Sequence, residues 1–301
     1  MASEDPWSLY WQGGNLHSCI ASQEEQDQTQ IDRFWADFAM SLPQQARLLD
    51  LASSNGAVPK ALLAANSSLF VTAVDLADIA PDTLIKNFPE LSQVQFIPGT
   101  DICDLPFEDA RFDGITSQFG LEYAPHTPAL REAGRVLKAG APIRLLLHHV
   151  SSGIVRPAES IIAEIEALAR PGGLIESLNQ FVSGHSDLDN LEFAGQRYLN
   201  GPNGKSRHIS GQVMAGISRV IDDRQSFPER AFALASGIEQ RLTAESNRLS
   251  QLRSAALTAQ GASELKLAAL GAGLGHVSID EMFVGEKDPV LVGWRLCAVR
   301  M

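Results

Sequence analysis

The sequence predicts an α/β protein built on a doubly wound parallel sheet that ends in an antiparallel hairpin. Strand-like and helical segments alternate between residues 47 and 150, and such alternation is typical of βαβ units in a parallel sheet. Helical spacing alone fills residues 151–272, and two strand-like runs follow it. We therefore predict seven strands, with a helical insertion between the fifth strand and the sixth.

Five strand-like runs and three helical segments make up the alternating part of the chain. The strands are predicted at 47–51, 69–76, 94–97, 112–119 and 142–150. The helices are predicted near 58–66, 81–88 and 127–138. The last helix is followed by Gly140, and glycine favours a helix C-terminus. The closing hairpin is predicted at 276–284 and 290–299.

The helical block from 151 to 272 is predicted to be inserted into an α/β core, which comprises residues 41–150 and 273–301. The insertion leaves from the end of the fifth strand, and the carboxyl ends of parallel strands share one edge of the sheet. We therefore expect a helical lid over a substrate at that edge. The alternative is a dimerisation arm, which would make a homodimer through the insertion.

Composition and charge limit the partners and the compartment. The chain has 301 residues, 45% of them hydrophobic, and a formal net charge of −12, which disfavours nucleic acid and an anionic membrane surface. Its three cysteines are far apart and form neither a disulfide framework nor a zinc pattern. No apolar leader and no apolar run of membrane-spanning length is visible. We therefore expect a cytoplasmic protein.

Carboxylates accompany three of the predicted strands. Asp50 lies in the first strand, Asp75 ends the second, and Asp101 follows the third. Because the carboxyl ends of parallel strands meet at one edge of a sheet, these groups are expected near one another. They indicate a cationic or hydroxyl-rich cofactor at that edge.

The turn after the first strand reads Asp50-Leu-Ala-Ser-Ser-Asn-Gly56. A strand, a tight turn and a helix start commonly bind a nucleotide-like ligand at this place. A dinucleotide fingerprint would need glycine at positions 52, 54 and 57, which hold alanine, serine and alanine. The turn therefore disfavours an oxidoreductase that uses a dinucleotide or a nucleotide sugar.

Four ordered segments together resemble the class I S-adenosylmethionine-dependent methyltransferases, in the small-molecule, methyltransferase type 11-like group that includes the quinone-biosynthesis C-methyltransferases. These segments are Asp50–Gly56, Gly99–Phe107, Phe112–Leu121 and Leu130–Gly140. The last departs from Glu-x-x-Arg-Val-Leu-Lys-Pro-Gly by an alanine at 139. The resemblance covers residues 45–150, extends to the final hairpin, and implies a Rossmann-like fold. It leaves out the insertion.

The resemblance implies S-adenosyl-L-methionine as the cofactor and assigns the contacts of its methionine part. Asp50 would orient the turn or hold the ammonium group through water. The backbone of Ala52, Ser54, Asn55 and Gly56 would pass close to the cofactor. Two of the family's three glycines are replaced in this turn, by Ala52 and Ser54.

The contacts of the adenosine part are implied in the same way. Asp75 would accept the ribose hydroxyls, and Leu76 would lie on a face of the adenine. Asp101 would accept from the adenine amino group, while the Ile102 backbone N–H donates to the ring. Gln118, in the segment that resembles the family's fourth strand and its catalytic edge, would also contact the cofactor. In the alternative, Asp75 caps the N-terminus of a helix or lies in a solvated loop.

Two histidines that end the fifth strand are candidates for catalysis. Successive strand residues face opposite sides, so at most one of His148 and His149 reaches the crevice. A histidine there would be a general base for a phenol or an enol, and the alternative is a hydrogen-bonded strand-end histidine. No spacing of histidines, cysteines or acidic residues predicts a metal site.

Residues 1–40 are predicted to form an N-terminal arm or lid segment. It carries an aromatic cluster at Trp7, Tyr10 and Trp11. Tyr10 is the third catalytic candidate. Its ring would pack against the sulfonium of the cofactor, because an aromatic face attracts a cation. In the alternative the cluster only anchors a flexible arm.

These features predict an enzyme that transfers a methyl group from S-adenosyl-L-methionine to a small organic acceptor. In-line displacement would release S-adenosylhomocysteine, and the protein would align the nucleophile and exclude water. The alternative, motivated by Ala52 and Ser54, is a degenerate methyltransferase-like protein that binds the cofactor or acts as a partner subunit without catalysis.

Overall fold

The computed structural model describes residues 5–17, 25–202, 209–285 and 287–301. The chain divides into two compact units. The core unit comprises Met1–Arg156 and Leu252–Met301, and the helical unit comprises Pro157–Gln251. The named strands all belong to the core unit.

A sheet of seven strands forms the framework of the core unit. The strands are β1 Arg47–Leu51, β2 Phe70–Val74, β3 Gln95–Ile97, β4 Gly114–Gln118, β5 Pro142–His148, β6 Leu274–Val284 and β7 Val290–Arg300. Their order is β3-β2-β1-β4-β5-β7-β6. Strands β1 to β5 are parallel, and β7 is antiparallel to β5 and β6. The predicted fold class is confirmed.

The α-helices are α1 Pro6–Gln12, α2 Glu25–Ser41, α3 Ala57–Ala65, α4 His126–Val136, α5 Pro157–Ala169, α6 Leu174–Val182, α7 Leu188–Leu199, α8 Ser210–Asp223, α9 Pro228–Ala255 and α10 Ala259–Gly271. The predicted helix near 81–88 is wrong, since that region holds two 3-10 turns, Pro81–Thr83 and Pro89–Gln93. Each turn begins at a proline. Phe88, before the second proline, is extended (φ −132°, ψ 79°), because the proline ring disfavours helical backbone there.

Alternate residues of β1 pack in two different hydrophobic clusters. Leu49 and Leu51 pack with residues of α4 and α10, whereas Leu48 packs with residues of α2 and α3. All three leucines are fully buried. A strand buried on both sides is typical of a parallel sheet covered by helices. The turn that follows β1 therefore rests on a rigid frame.

Helix α10 packs in the core unit, which corrects the predicted end of the insertion. Leu265 and Ala269 of this helix are fully buried in the core-unit cluster. Just before the helix, Leu257 N donates to His148 O at 2.8 Å, and Trp294 Nε1 donates to Leu257 O at 3.1 Å. The helical unit ends at residue 251 and not at 272. Helical spacing could not show this, because it is the same whichever unit a helix packs on.

The helical unit has a hydrophobic core of its own. Leu168, Leu178 and Val220 are fully buried there. Glu164 is also buried, and its Oε1 accepts from Ser210 N at 2.6 Å, which supplies a carboxylate at the start of α8. Among the described residues, no helix combines the length and the apolarity needed to cross a membrane.

Candidate cofactor site

Asp50 is a buried carboxylate at the end of β1, and its two oxygens have different surroundings. Thr116 Oγ1 donates to Oδ1 at 2.7 Å. Oδ2 is buried without a hydrogen-bond partner in the described part of the chain, although the residue lines a cavity. Burial raises the pKa of Asp50 to about 8, opposed by the Thr116 bond and increased by the charge of Asp75. The site thus offers an unused acceptor to a ligand.

The turn after β1 has a left-handed backbone at several positions. Ala52 and Ser54 have φ of +52° and +50°, and Gly56 has φ of +96°. This left-handed backbone costs a residue other than glycine about 1–2 kcal/mol. A Cβ on Gly120 would clash with Ala52 Cβ, so the segment after β4 approaches the turn closely. Residues that glycine would suit are therefore held in this turn by their surroundings.

Asp75 is bonded to the same turn. Its Oδ2 accepts from Ser54 N at 2.7 Å and its Oδ1 accepts from Ala77 N at 2.9 Å. Burial raises the pKa of this carboxyl, and those two backbone bonds oppose the rise. Asp75 is 8% exposed, so it is not a solvated loop residue, and no helix of the described chain begins directly after it. Leu76 beside it is 70% exposed, which leaves an apolar face uncovered.

The segment after β3 lies next to Asp75. Thr100 N donates to Asp75 O at 2.8 Å. Asp101 follows as an exposed residue whose Oδ1 accepts from Cys103 N at 2.8 Å. Ile102 is buried in the hydrophobic core. The structure therefore brings the Asp101 segment to the side of Asp75, as expected from the parallel sheet.

The side chains of Asn55 and Gln118 form hydrogen bonds with other parts of the protein. Asn55 Nδ2 donates to the carbonyls of Trp11 and Asn15, at 2.9 and 2.8 Å, and Ala80 N donates to Asn55 Oδ1 at 2.8 Å. Gln118 lines the cavity, and its Oε1 accepts from an indole N–H of α2. The Asn55 side chain therefore fastens the N-terminal arm to the turn, and the approach of its backbone to the cofactor stays a prediction.

The N-terminal arm contributes to the cavity through residues that sequence reasoning missed. Leu16 and His17 line it, together with Phe119 at the end of β4. Tyr10 does not line it, and its hydroxyl donates to His17 O at 3.0 Å. Trp11 is buried against the loop after β2. A polar, irregular sequence around His17 gave no periodic signal, so a contact with a turn more than 30 residues away could not be predicted.

The two candidate histidines, at the end of β5 and directly after it, have different surroundings. His148 is fully buried, and its Nδ1 lies 2.7 Å from Glu122 Oε1. Its ring stacks on Phe119 at 4.5 Å between centroids. His149 Nδ1 accepts from a backbone N–H at 2.9 Å, and its Nε2 lies 3.3 Å from Glu281. His148 alone of the pair contacts a residue that lines the cavity, and Glu122 was missed because no motif marks it.

Metal and disulfide chemistry find no support in the described residues. No group of three or more histidine, cysteine, aspartate and glutamate side chains there is placed to hold a metal ion. Cys103 and Cys297 are free thiols. Cys19 lies outside the part of the chain that the structure describes.

The raised pKa of Asp50 predicts a pH dependence of stability. Without ligand, the folded protein keeps this carboxyl protonated up to about pH 8, whereas the unfolded chain ionises it near 3.8. The free energy of unfolding should therefore fall as pH rises from about 4 to 8, and level off above. Asp50→Asn should remove a few kcal/mol of that fall, since one pKa unit is about 1.4 kcal/mol. Urea denaturation at pH 5, 7 and 9 measures the difference, and parallel curves for both proteins would contradict it.

Known proteins with similar sequences point to one family. Residues 49–145 match the family model described as methyltransferase domain. Over 147 residues the chain is 30% identical to ubiquinone/menaquinone biosynthesis C-methyltransferase UbiE of Bartonella quintana (strain Toulouse), covering 47% of this chain and 53% of that protein. Over 98 residues it is 36% identical to demethylmenaquinone methyltransferase of Clavibacter sepedonicus, covering 32% of this chain and 39% of that one. The chain thus spans about half the length, or less, of the curated relatives it matches.

A solved structure also aligns with the whole chain. The putative sarcosine dimethylglycine methyltransferase from Galdieria sulphuraria covers 99% of both chains at 15% identity, with a TM-score of 0.43. The family match includes the turn after β1 and both of the strand-end aspartates that follow it. The resemblance expected from the sequence is confirmed over these residues, and it implies S-adenosyl-L-methionine as the cofactor. Residues 49–145 of this chain are therefore similar to a methyltransferase domain.

Proposed function

We propose that the protein is an enzyme that transfers a methyl group from S-adenosyl-L-methionine to a small organic acceptor. The observation that carries this proposal is the unpartnered Asp50 Oδ2, buried at a cavity beside the family's cofactor turn. Such an oxygen favours a ligand that brings a cation or a donor. When bound, the cofactor supplies the methyl group on a sulfonium and leaves as S-adenosylhomocysteine.

Asp75, Leu76 and Asp101 are proposed to hold the adenosine part. Each oxygen of Asp75 has one backbone N–H partner, and a carboxylate has about four lone-pair sites. It therefore keeps acceptors for two ribose hydroxyls. The exposed side chain of Leu76 is suited to cover the adenine, and the exposed Asp101 carboxylate to read its amino group.

His148 is the proposed proton acceptor, and Glu122 is proposed as its positioning residue. The contact of 2.7 Å places the Glu122 carboxylate at Nδ1, so the proton of the neutral ring is favoured there and Nε2 becomes the basic nitrogen. Glu122 Oε1 also accepts from His148 N at 2.6 Å, which fixes the two residues to each other. A base suits an acceptor that must lose a proton, such as a phenol, an enol or an acidic carbon.

The helical unit is proposed to shape the acceptor site. It follows β5 in the chain, and the carboxyl end of a parallel strand lies at the edge of the sheet where ligands bind. The net charge of −12 disfavours a nucleic-acid substrate. We place the enzyme in the cytoplasm. A homodimer formed through the helical unit is the alternative role for this unit.

A methyl-transfer assay with a labelled cofactor and a panel of phenols, enols and amines tests the proposal. We expect transfer to a phenol or an enol, and a loss of about 10²–10⁴-fold in kcat for His148→Gln, the range of general-base catalysis. Glu122→Gln should shift the pH profile of kcat while leaving S-adenosylhomocysteine affinity unchanged. His185→Gln, on an exposed loop of the helical unit, is the control. Equal rates and equal pH profiles for wild type, His148→Gln and Glu122→Gln would contradict the assignment of these two residues.

The degenerate, non-catalytic alternative rests on Ala52 and Ser54. Both residues have positive φ, the backbone region that glycine adopts most readily. Their side chains have therefore not forced the turn out of that region, and the two replacements do not by themselves favour a binding subunit. Cofactor binding without methyl transfer to any acceptor in the panel would favour it.

A further inference from the structure

A second buried polar atom belongs to the cavity that holds Asp50, and it comes from the N-terminal arm. Within the described residues, His17 Nδ1 has no hydrogen-bond partner, and the same is true of Asp50 Oδ2. Both side chains line the same cavity. A buried polar atom left unpaired is costly to a fold. Two of them at one cavity, of opposite acid–base character, indicate a ligand that pairs with both.

The position of His17 is built by several contacts. Tyr10 hydroxyl donates to His17 O at 3.0 Å. Asn55 Nδ2 donates to the carbonyl of Asn15, two residues before His17, and to that of Trp11. Because Asn55 lies in the β1 turn, the turn and the arm are fastened together. His17 is therefore held at the cavity by the same residue that shapes the cofactor turn.

Burial leaves both His17 and Asp50 without a stabilised charge when the cavity holds no ligand. Burial lowers the pKa of His17, the Asp32 charge opposes this, and the Lys60 charge adds to it. Burial also raises the pKa of Asp50, which lines the same cavity, to about 8. An incoming zwitterion would favour the charged form of each residue, because an opposite charge stabilises an ionised group.

We propose that His17 binds the α-carboxylate of the cofactor's methionine part while Asp50 binds its ammonium group, so that the arm completes the cofactor site. This inference rests on the proposed function. It assigns the specificity for an amino-acid zwitterion to one residue of the core and one of the arm. It also makes the arm part of the binding site, because a displaced arm would remove the carboxylate's partner.

Calorimetry with two ligands tests this inference without any activity measurement. S-adenosylhomocysteine carries the carboxylate, and its decarboxylated analogue lacks only that group. His17→Ala should weaken S-adenosylhomocysteine about 10- to 100-fold, as for a lost charge-assisted hydrogen bond, and should leave the decarboxylated analogue within about twofold of its wild-type affinity. His17→Gln keeps a hydrogen-bond donor. Its affinity for S-adenosylhomocysteine should therefore lie between those of wild type and His17→Ala. His185→Ala, exposed and outside the core unit, is the control.

Each outcome separates this inference from the proposed function. Equal affinity of wild type and His17→Ala for S-adenosylhomocysteine would overturn the role of His17 and leave the function standing. Equal losses for both ligands would show that His17 only seats the arm, which also overturns it. No binding of S-adenosylhomocysteine to wild type would overturn the proposed function itself. Unchanged melting of the variants shows that the comparison concerns binding and not folding.

Discussion

Removal of residues 157–251 should abolish methyl transfer while S-adenosylhomocysteine binding is retained. The proposed cofactor contacts all belong to the core unit, which has its own hydrophobic clusters. Its two chain segments are already paired, since Leu257 N donates to His148 O at 2.8 Å and Val150 N donates to Leu257 O at 3.2 Å. A short Gly/Ser linker from Arg156 to Leu252 therefore closes a small loop at low entropic cost.

The exact boundary matters in this experiment. A deletion of 151–272 would also remove α10 and with it Leu265 and Ala269, which are fully buried in the core-unit cluster. That variant should fail to fold, whereas the deletion of 157–251 should keep the circular dichroism and melting of an α/β protein. A shortened protein that folds, binds S-adenosylhomocysteine and still methylates the acceptor would show that the helical unit does not form the acceptor site. Sedimentation of both proteins tests the dimerisation alternative in the same samples.

Asp75→Ala should weaken S-adenosylhomocysteine binding by about 1–3 kcal/mol, or about 5- to 150-fold, because two ribose hydroxyls lose a charged acceptor. The change also removes the acceptor of Ser54 N and Ala77 N, so the turn itself should loosen. Asp75→Asn keeps one acceptor oxygen and should lie between the alanine variant and wild type. Calorimetry at pH 7.5 measures all three affinities.

A matched control for the Asp75 variants separates the effect of losing a charge from the effect of losing it at this position. Asp104 is exposed and follows the same edge of the sheet, after Asp101. Asp104→Ala changes the net charge as much as Asp75→Ala does, and it should leave the affinity within about twofold. A folded Asp75→Ala protein with wild-type affinity would remove this residue from the ribose site.

The alternation of strands and helices predicted the sheet because hydrophobic periodicity and strand ends are local properties. It placed Asp50, Asp75 and the segment of Asp101 at neighbouring strand ends, and these segments are indeed bonded to one another. The error near 81–88 was also local, since Pro89 stops helical backbone at Phe88 and could have been given more weight. The end of the insertion is a tertiary property and could not be obtained in this way.

The finer contacts of the site depend on contacts between distant segments. Nothing local shows that Ala52 and Ser54 adopt positive φ, which the surrounding turn imposes against a cost of about 1–2 kcal/mol. His17 reaches the cavity because Asn55 fastens the arm to the turn, and Glu122 meets His148 across two strand ends. Sequence patterns found the residues that the motifs mark, and they missed His17 and Glu122, which no motif marks.

Titration of the wild-type protein with S-adenosylhomocysteine and with NAD tests the central claim most directly. We expect one saturable site for S-adenosylhomocysteine, at which the cofactor's ammonium group favours the ionised form of Asp50. We expect no binding of NAD, since the turn lacks the glycines of a dinucleotide site. Saturable binding of NAD, or the absence of any binding of S-adenosylhomocysteine to the folded protein, would contradict the account.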